Sequence, residues 1–154
     1  MCSAAAAAST VACGRTPRNG RFLSGAEIET LNAICDQIVP PDADPGGAWA
    51  GAANYIDHQL AGWFRKHRQI YRSGLKEADR RAGGAFAKIP PGRQREILLA
   101  MEKDEVTRAF FALVVEHTMQ GFYGNPRHGG NRDCCSWRML GAPISPIRGR
   151  EPLL

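Results

Sequence analysis

The sequence lacks several patterns by which membrane-spanning proteins and enzymes are recognised. No apolar run among its 154 residues approaches the roughly 20 residues of a transmembrane helix, so membrane contact is expected to come through a leader, a lipid or a partner. No Gly-x-Gly-x-x-Gly run follows a strand pattern, which excludes a Rossmann-type flavin or nicotinamide site. HExxH and Gly-x-Ser-x-Gly are also missing, and with them the zincin site and the nucleophile elbow.

The five cysteines never occur as Cys-x-x-Cys or Cys-x-x-Cys-His, which excludes a zinc box and a c-type haem. The adjacent Cys134 and Cys135 permit a strained vicinal disulfide, a redox switch or half of a metal site, although free thiols in a loop are the simpler interpretation. His117 has no partner at metal-ligand spacing and is predicted to be a hydrogen-bonded core residue. We therefore predict no catalytic residue, cofactor site or metal site in this chain.

Acidic and basic residues are segregated along the chain. The formal net charge is +5, yet residues 22–64 hold six acids and no Lys or Arg, while residues 65–81 hold seven bases and two acids. Nucleic-acid binding would require one continuous basic face. This dipolar pattern instead favours oriented packing or a protein partner, and we expect no nucleic-acid ligand.

Helical periodicity dominates the middle of the chain, and no run alternates as a half-buried strand does. We predict an all-α fold, a small irregular bundle of about five helices followed by a long Gly/Pro-rich loop segment. The predicted helices run from the capping box at Ser24 to Val39, over about 51–64, over about 67–81, from Pro91 onward, and over about 105–121. Apolar spacing assigns Trp63 to the core face of the second helix, and Val106 and Met119 to that of the fifth.

Composition divides the chain into three regions: a low-complexity N-terminal segment (1–21), a helical domain (22–121) and an extended C-terminal partner-binding loop and tail (122–154). The first region is rich in alanine and small residues and has no basic residue ahead of its apolar run. Two interpretations stay open, an export leader that is truncated at its start and a disordered tail.

The densest set of motifs lies in the third region, over residues 121–133 and 137–143. Its glycines and Asn131 permit left-handed turns, and the loop presents Tyr, Arg and Trp side chains, which are typical of interface hot spots. The candidate partner-binding residues are Tyr123, Asn125, Pro126, Arg127, Asn131, Arg132, Asp133 and Trp137. An internally packed loop that closes one end of the bundle, with Asp133 paired to an arginine, fits the same residues.

The run Gly-Phe-Tyr-Gly-Asn-Pro-Arg-His-Gly-Gly-Asn-Arg-Asp at 121–133, with Trp-Arg-x-Leu-Gly-x-Pro at 137–143, strongly resembles the closing motif of the gluconate 2-dehydrogenase subunit 3 family. Residues 22–42, continuing to Pro45, Gly46 and Ala48, look like the opening signature of that family. Asn-Tyr-Ile-Asp at 54–57 matches its short aromatic-acidic stretch. The resemblance covers about residues 22–143.

The resemblance implies a non-catalytic gamma subunit of a membrane-associated, flavin-dependent sugar or sugar-acid dehydrogenase. In that family the large subunit carries FAD and often an iron–sulfur cluster, and a multihaem cytochrome c subunit takes the electrons. The small subunit binds the large one and usually bears a twin-arginine leader that assists maturation and export. A periplasmic location is therefore expected, with membrane contact only through the complex. The leader of this chain is incomplete, and Cys134-Cys135 departs from the family pattern.

Two other functions remain compatible with the residues. One is a free-standing thiol-redox protein or small enzyme that uses Cys134, Cys135 and His128. The other is a decayed family member without an exported partner.

Overall fold

A computed structural model describes residues 19–144 of the chain. These residues contain six α-helices and no strand, which confirms the all-α prediction. The helices are α1 (Gly25–Ile38), α2 (Ala52–Ala61), α3 (Arg68–Ala82), α4 (Pro91–Lys103), α5 (Arg108–Tyr123) and α6 (Cys135–Met139). In the described residues, no helix combines the length and the apolar character that crossing a bilayer requires. The predicted leader, Cys2 and Cys13 lie outside this range.

The helix ends follow from local sequence chemistry. The predicted capping box is present, because the Ser24 side chain accepts from the backbone N–H of Glu27 and the Glu27 carboxylate accepts from that of Ser24. Val39 ends α1 ahead of two prolines, and Pro91 occupies the first turn of α4. Gly83 ends α3 in the left-handed conformation, with φ 72°.

Three predicted core positions are wrong, and two of these errors lie at a helix end. α2 stops at Ala61 because Gly62 terminates it, so Trp63 lies in a turn and is 89% exposed. α5 begins at Arg108 rather than near 105, and Val106 in the preceding turn is 88% exposed. Met119 is also partly exposed, at 39%. Periodicity continued past a helix end assigns a side chain to a face that no longer exists.

α5 is the core helix, as its apolar sequence predicts. It packs against α1, α2, α3 and α4, and its Phe110 and Val114 are buried in the main core. That core also holds these fully buried side chains from the other helices: Leu31, Ile34, Ile56, Leu60, Tyr71, Leu75 and Met101. The bundle is thus organised around one central helix.

His117 is a buried, hydrogen-bonded core residue, which confirms its predicted role. It is 2% exposed, and its Nδ1 lies 2.8 Å from the Tyr71 hydroxyl. Its ring stacks on Phe64 at a centroid distance of 4.0 Å. Burial lowers the pKa of His117, opposed by the charge of Glu116 and assisted by that of His67. The neutral imidazole is therefore the form that the folded core accommodates.

Asp57 attaches the segment ahead of α1 to α2. Its carboxylate is buried and accepts from three consecutive backbone N–H groups, those of Arg21 (2.5 Å), Phe22 (3.0 Å) and Leu23 (2.8 Å). The Phe22 ring lies under the guanidinium groups of Arg68 and Arg72, at 4.6 and 4.7 Å. The start of the domain is therefore fixed against both α2 and α3.

Between residues 124 and 144 the C-terminal segment contains short helical elements. It forms two 3-10 turns, Pro126–His128 and Arg132–Cys134, and then α6. Phe122, Cys135 and Ala50 make a second small core beneath it. Helical periodicity in the sequence does not predict these turns, because each is too short to show a repeat.

We expect Asp57→Ala to lower the free energy of unfolding by about 2–4 kcal/mol, since three N–H groups lose a charged acceptor. Asp57→Asn keeps one acceptor oxygen and should lose less. Urea unfolding followed by circular dichroism measures both. Asp42→Ala is the control, because Asp42 accepts only the N–H of Asp44 in an exposed turn. Equal losses in Asp57→Ala and Asp42→Ala would contradict the role given to Asp57.

Folding stability should fall as the pH drops below about 6.5, the ordinary histidine pKa. The unfolded chain takes up a proton there, whereas folded His117 does so only at lower pH, so the stabilisation present above that pKa is lost on acidification. The pKa of His58 is also lowered, by burial and by Arg21, which adds to the same trend. We predict that His117→Gln narrows the difference in Tm between about pH 7.5 and pH 5.5. A difference in the His117→Gln variant as large as that of the wild type would contradict this role of His117.

Candidate partner-binding surface

The C-terminal segment crosses α5 at a point where two backbones touch. A Cβ atom on Gly130 would lie 2.1 Å from the carbonyl oxygen of Gly121, so a larger residue at 130 cannot keep this path. Gly129 has φ 98°, and its carbonyl oxygen accepts from the Asn54 side chain at 2.7 Å. The segment is thus held between the beginning of α2 and the end of α5.

Asn131 organises the loop from within. It is completely buried and has φ 43°, a left-handed conformation that asparagine tolerates. Its amide nitrogen donates to the Gly124 carbonyl at 2.9 Å. Its amide oxygen accepts from the backbone N–H of Ser136 at 3.1 Å, from the Ser136 hydroxyl at 2.9 Å and from Cys135 Sγ at 3.6 Å. One side chain therefore links the end of α5 to the beginning of α6.

The loop is strained where it turns toward α6. Asp133 and Cys134 join Asn131 in having positive φ, at 53° and 55°, and these three are the only such non-glycine residues between 19 and 144. A positive φ at a non-glycine residue costs of order 1–3 kcal/mol, so it persists only where the surroundings impose it. The buried Asn131 network and the bond from Arg132 N–H to the Ala50 carbonyl, at 3.0 Å, supply that support.

Aromatic and cationic side chains project from this rigid backbone. Trp137 is half-buried and donates its indole N–H to the Tyr123 carbonyl at 2.8 Å. The Tyr123 ring is partly exposed beside it and contacts the buried Phe122 edge-on, at 4.9 Å. The Arg132 guanidinium lies over the ring of Trp49, 5.3 Å from its centroid, and Trp49 is 46% exposed.

The structure divides the eight predicted residues into three groups by exposure. Tyr123, Arg127, Arg132 and Asp133 are exposed, and Asn125, Pro126 and Trp137 are half-buried. Asn131 is enclosed by its own loop and cannot reach a partner in this conformation. Asp133 makes no ion pair with the residues between 19 and 144, so the predicted arginine pairing of the internally packed alternative is not found there.

Several residues of this surface were not predicted. Trp49 precedes α2 in a loop, where no helical period identifies it, and Met119 lies one turn before Tyr123 on α5. In the sequence, Asn54 stands out only as part of the stretch that resembles the family, although its side chain donates a hydrogen bond to the Gly129 carbonyl of the loop. A cleft of about 340 Å³ opens between this residue and the loop, bounded by Gly51, Asn54, Pro126, Gly129, Gly130, Arg132, Asp133 and Cys134.

This end of the molecule combines buried thiols with an exposed aromatic and cationic loop. Within the described range, no three His, Cys, Asp or Glu side chains are placed to hold a metal ion. Burial raises the pKa of the Cys135 thiol, and burial raises that of Cys35 to about 12, which disfavours the reactive thiolate at both. The loop presents aromatic and cationic area on a fixed backbone.

The chain matches the model of the family described as gluconate 2-dehydrogenase subunit 3 over residues 25–143. This match spans α1 to α6, and the chain belongs to that family. The family is that of a subunit of a dehydrogenase complex. No curated protein and no solved structure matches the chain significantly.

We expect Asn131→Ala to lower the free energy of unfolding by at least about 2 kcal/mol, because buried donors lose their acceptor and alanine is strained at this positive φ. Asn125→Ala is the matched control, since its side chain accepts only the Arg127 N–H, at 3.1 Å. That change should cost under about 1 kcal/mol. Chemical denaturation of both variants makes the comparison, and equal losses would contradict the organising role of Asn131.

Proposed function

We propose that this chain is the non-catalytic small subunit of a flavin-dependent sugar or sugar-acid dehydrogenase of the gluconate 2-dehydrogenase type. In this proposal it binds the catalytic flavoprotein subunit and supports its assembly, maturation and export. Family membership supports the class of complex. The surface around the C-terminal loop supports the mode of binding.

The observation that carries the proposal is a contrast between backbone and side chains. The backbone of residues 129–136 is fixed by a glycine crossing and a buried amide network. Tyr123, Arg127 and Arg132 nevertheless point into solvent, and Trp137 is half-exposed beside them. A loop that served only to close the bundle would not need exposed residues of the types that dominate interface energetics. Because the loop is fixed in advance, binding would lose little conformational entropy.

The proposal also assigns the redox chemistry to other subunits. FAD and, where the complex has one, an iron–sulfur cluster would belong to the large subunit, and haem c to a cytochrome subunit. The complex would lie on the periplasmic side of the cytoplasmic membrane. The substrate would then be selected by the large subunit.

The alternative of a thiol-redox protein receives less support. Cys134 and Cys135 are buried, at 2% and 9% exposure, and the raised pKa of Cys135 opposes thiolate formation. His128, the third residue of that hypothesis, is exposed and accepts from Arg127 Nε at 3.0 Å. These positions favour structural thiols.

Arg132→Ala and Trp137→Ala should each weaken association with the flavoprotein by about tenfold or more, as expected for interface hot spots. The chain, tagged at its C-terminus, is purified from its own cells in mild detergent. Flavin absorbance and dye-linked dehydrogenase activity are then measured per mole of chain. Recovered flavin should fall, while turnover per flavin in the assembled fraction stays unchanged.

Arg95→Ala and Leu99→Ala are the controls, because both remove exposed side chains from α4, away from the loop. Arg132→Ala is the cleaner of the two test variants, since Trp137 also donates a hydrogen bond within the loop. Wild-type recovery in both test variants would contradict the assigned surface. A wild-type chain that brings down no flavoprotein would contradict the proposed function itself.

A further inference from the structure

The outer face of α3 is basic along its whole length. The residues opposite the buried Tyr71, Leu75 and Ala78 are Gln69, Arg72, Ser73, Lys76 and Arg80. Arg65 and Lys66 extend this exposed face beyond the N-terminal end of the helix. No apolar or acidic side chain interrupts it.

Of the two acids of α3, one forms an ion pair with Arg80 and so neutralises one cation of this face. Glu77 lies at its side and is held by Arg80 and Arg81, which lower its pKa to about 2. Asp79 points inward, where it accepts from the Thr30 hydroxyl and the Phe86 N–H. Arg65, Lys66, Arg72 and Lys76 take part in none of the ion pairs found between residues 19 and 144. The charges of Arg65, Lys66 and Lys76 are open to an external anionic partner, whereas Arg72 also lies over the Phe22 ring.

Two strongly exposed apolar side chains flank the same face. Trp63, 89% exposed, lies just before Arg65 and Lys66. Val106, 88% exposed, borders an apolar groove of about 400 Å³ whose opposite side includes Gln69 and Ser73 of α3. They are the most exposed large apolar residues of the described chain.

We propose that Trp63, Val106 and the outer face of α3 dock this chain on an anionic phospholipid bilayer. Protein interfaces place apolar anchors at the centre of a polar rim, whereas here the cations are central and the apolar residues lie at the edges. A bilayer surface matches this arrangement of cations and apolar residues, because phosphate headgroups attract Lys and Arg while tryptophan is enriched at the membrane–water interface. Membrane contact would then be direct, unlike the expectation drawn from the resemblance.

This surface lies at the other end of α2 from the loop surface. Asn54, in the first turn of α2, contacts the loop, whereas Trp63 follows its last turn, about 15 Å further along. Both surfaces are therefore available at the same time. The inference does not depend on the proposed function, since the purified chain alone tests it.

The test is co-sedimentation of the purified full chain with phosphatidylcholine vesicles that contain about 30% phosphatidylglycerol. The chain should bind these vesicles, and binding should fall with added salt and be absent with phosphatidylcholine alone. Lys66→Glu/Lys76→Glu should weaken binding at least about tenfold. Trp63→Ala should weaken it too and abolish quenching of the chain's fluorescence by brominated lipid.

Lys88→Glu/Arg95→Glu is the matched control, with the same charge change on exposed residues elsewhere. It should retain at least half of the binding. Equal losses of vesicle binding in the two double variants would show that only the net charge matters, and would overturn the proposal. Absence of vesicle binding would overturn the proposal as well. If Lys66→Glu/Lys76→Glu then lowered the recovery of another subunit, the face would bind an acidic protein instead.

Discussion

The close approach of Gly130 to Gly121 is the constraint on which the candidate surface depends. Only because Gly130 has no side chain can the C-terminal segment lie directly on the α5 backbone at Gly121. That path brings Asn131 into a buried position where its amide satisfies groups from both ends of the loop. The strained turn that follows is supported by this network, and it delivers Arg132 and Trp137 to the surface. Loss of the crossing would remove all of these positions together.

At this end of the molecule the buried residues fix the shape of the loop, and the exposed residues are those that we propose for binding. Asn131 and Cys135 are buried, although polar and reactive residues of this kind in a sequence motif usually suggest a binding or catalytic site. Tyr123 and Arg132 are exposed, although aromatic area is normally buried where it can be. The buried residues therefore hold the loop in shape, and the exposed residues are those that a partner would contact. It also explains why one motif supported both an interface and a structural interpretation.

Much of the fold could be predicted from local patterns. The capping box at Ser24, the prolines at 40 and 91 and the apolar spacing of α5 locate their helices to within a few residues, since each acts through neighbours in sequence. Trp63 and Val106 were assigned to the wrong side because one glycine and one turn end the helical period early. The contacts of Asp57 with residues 21–23, and of Trp49 with Arg132, join distant segments and have no local signature.

Hydrogen–deuterium exchange of the free chain and of the chain within its purified complex tests the central claim most directly. Binding should protect residues 123–140 and the segment around Trp49 from exchange. Amides already held by the Asn131 network should exchange slowly in both states. Protection confined to other helices, with residues 123–140 unchanged, would contradict the assignment of this loop as the surface that binds the dehydrogenase.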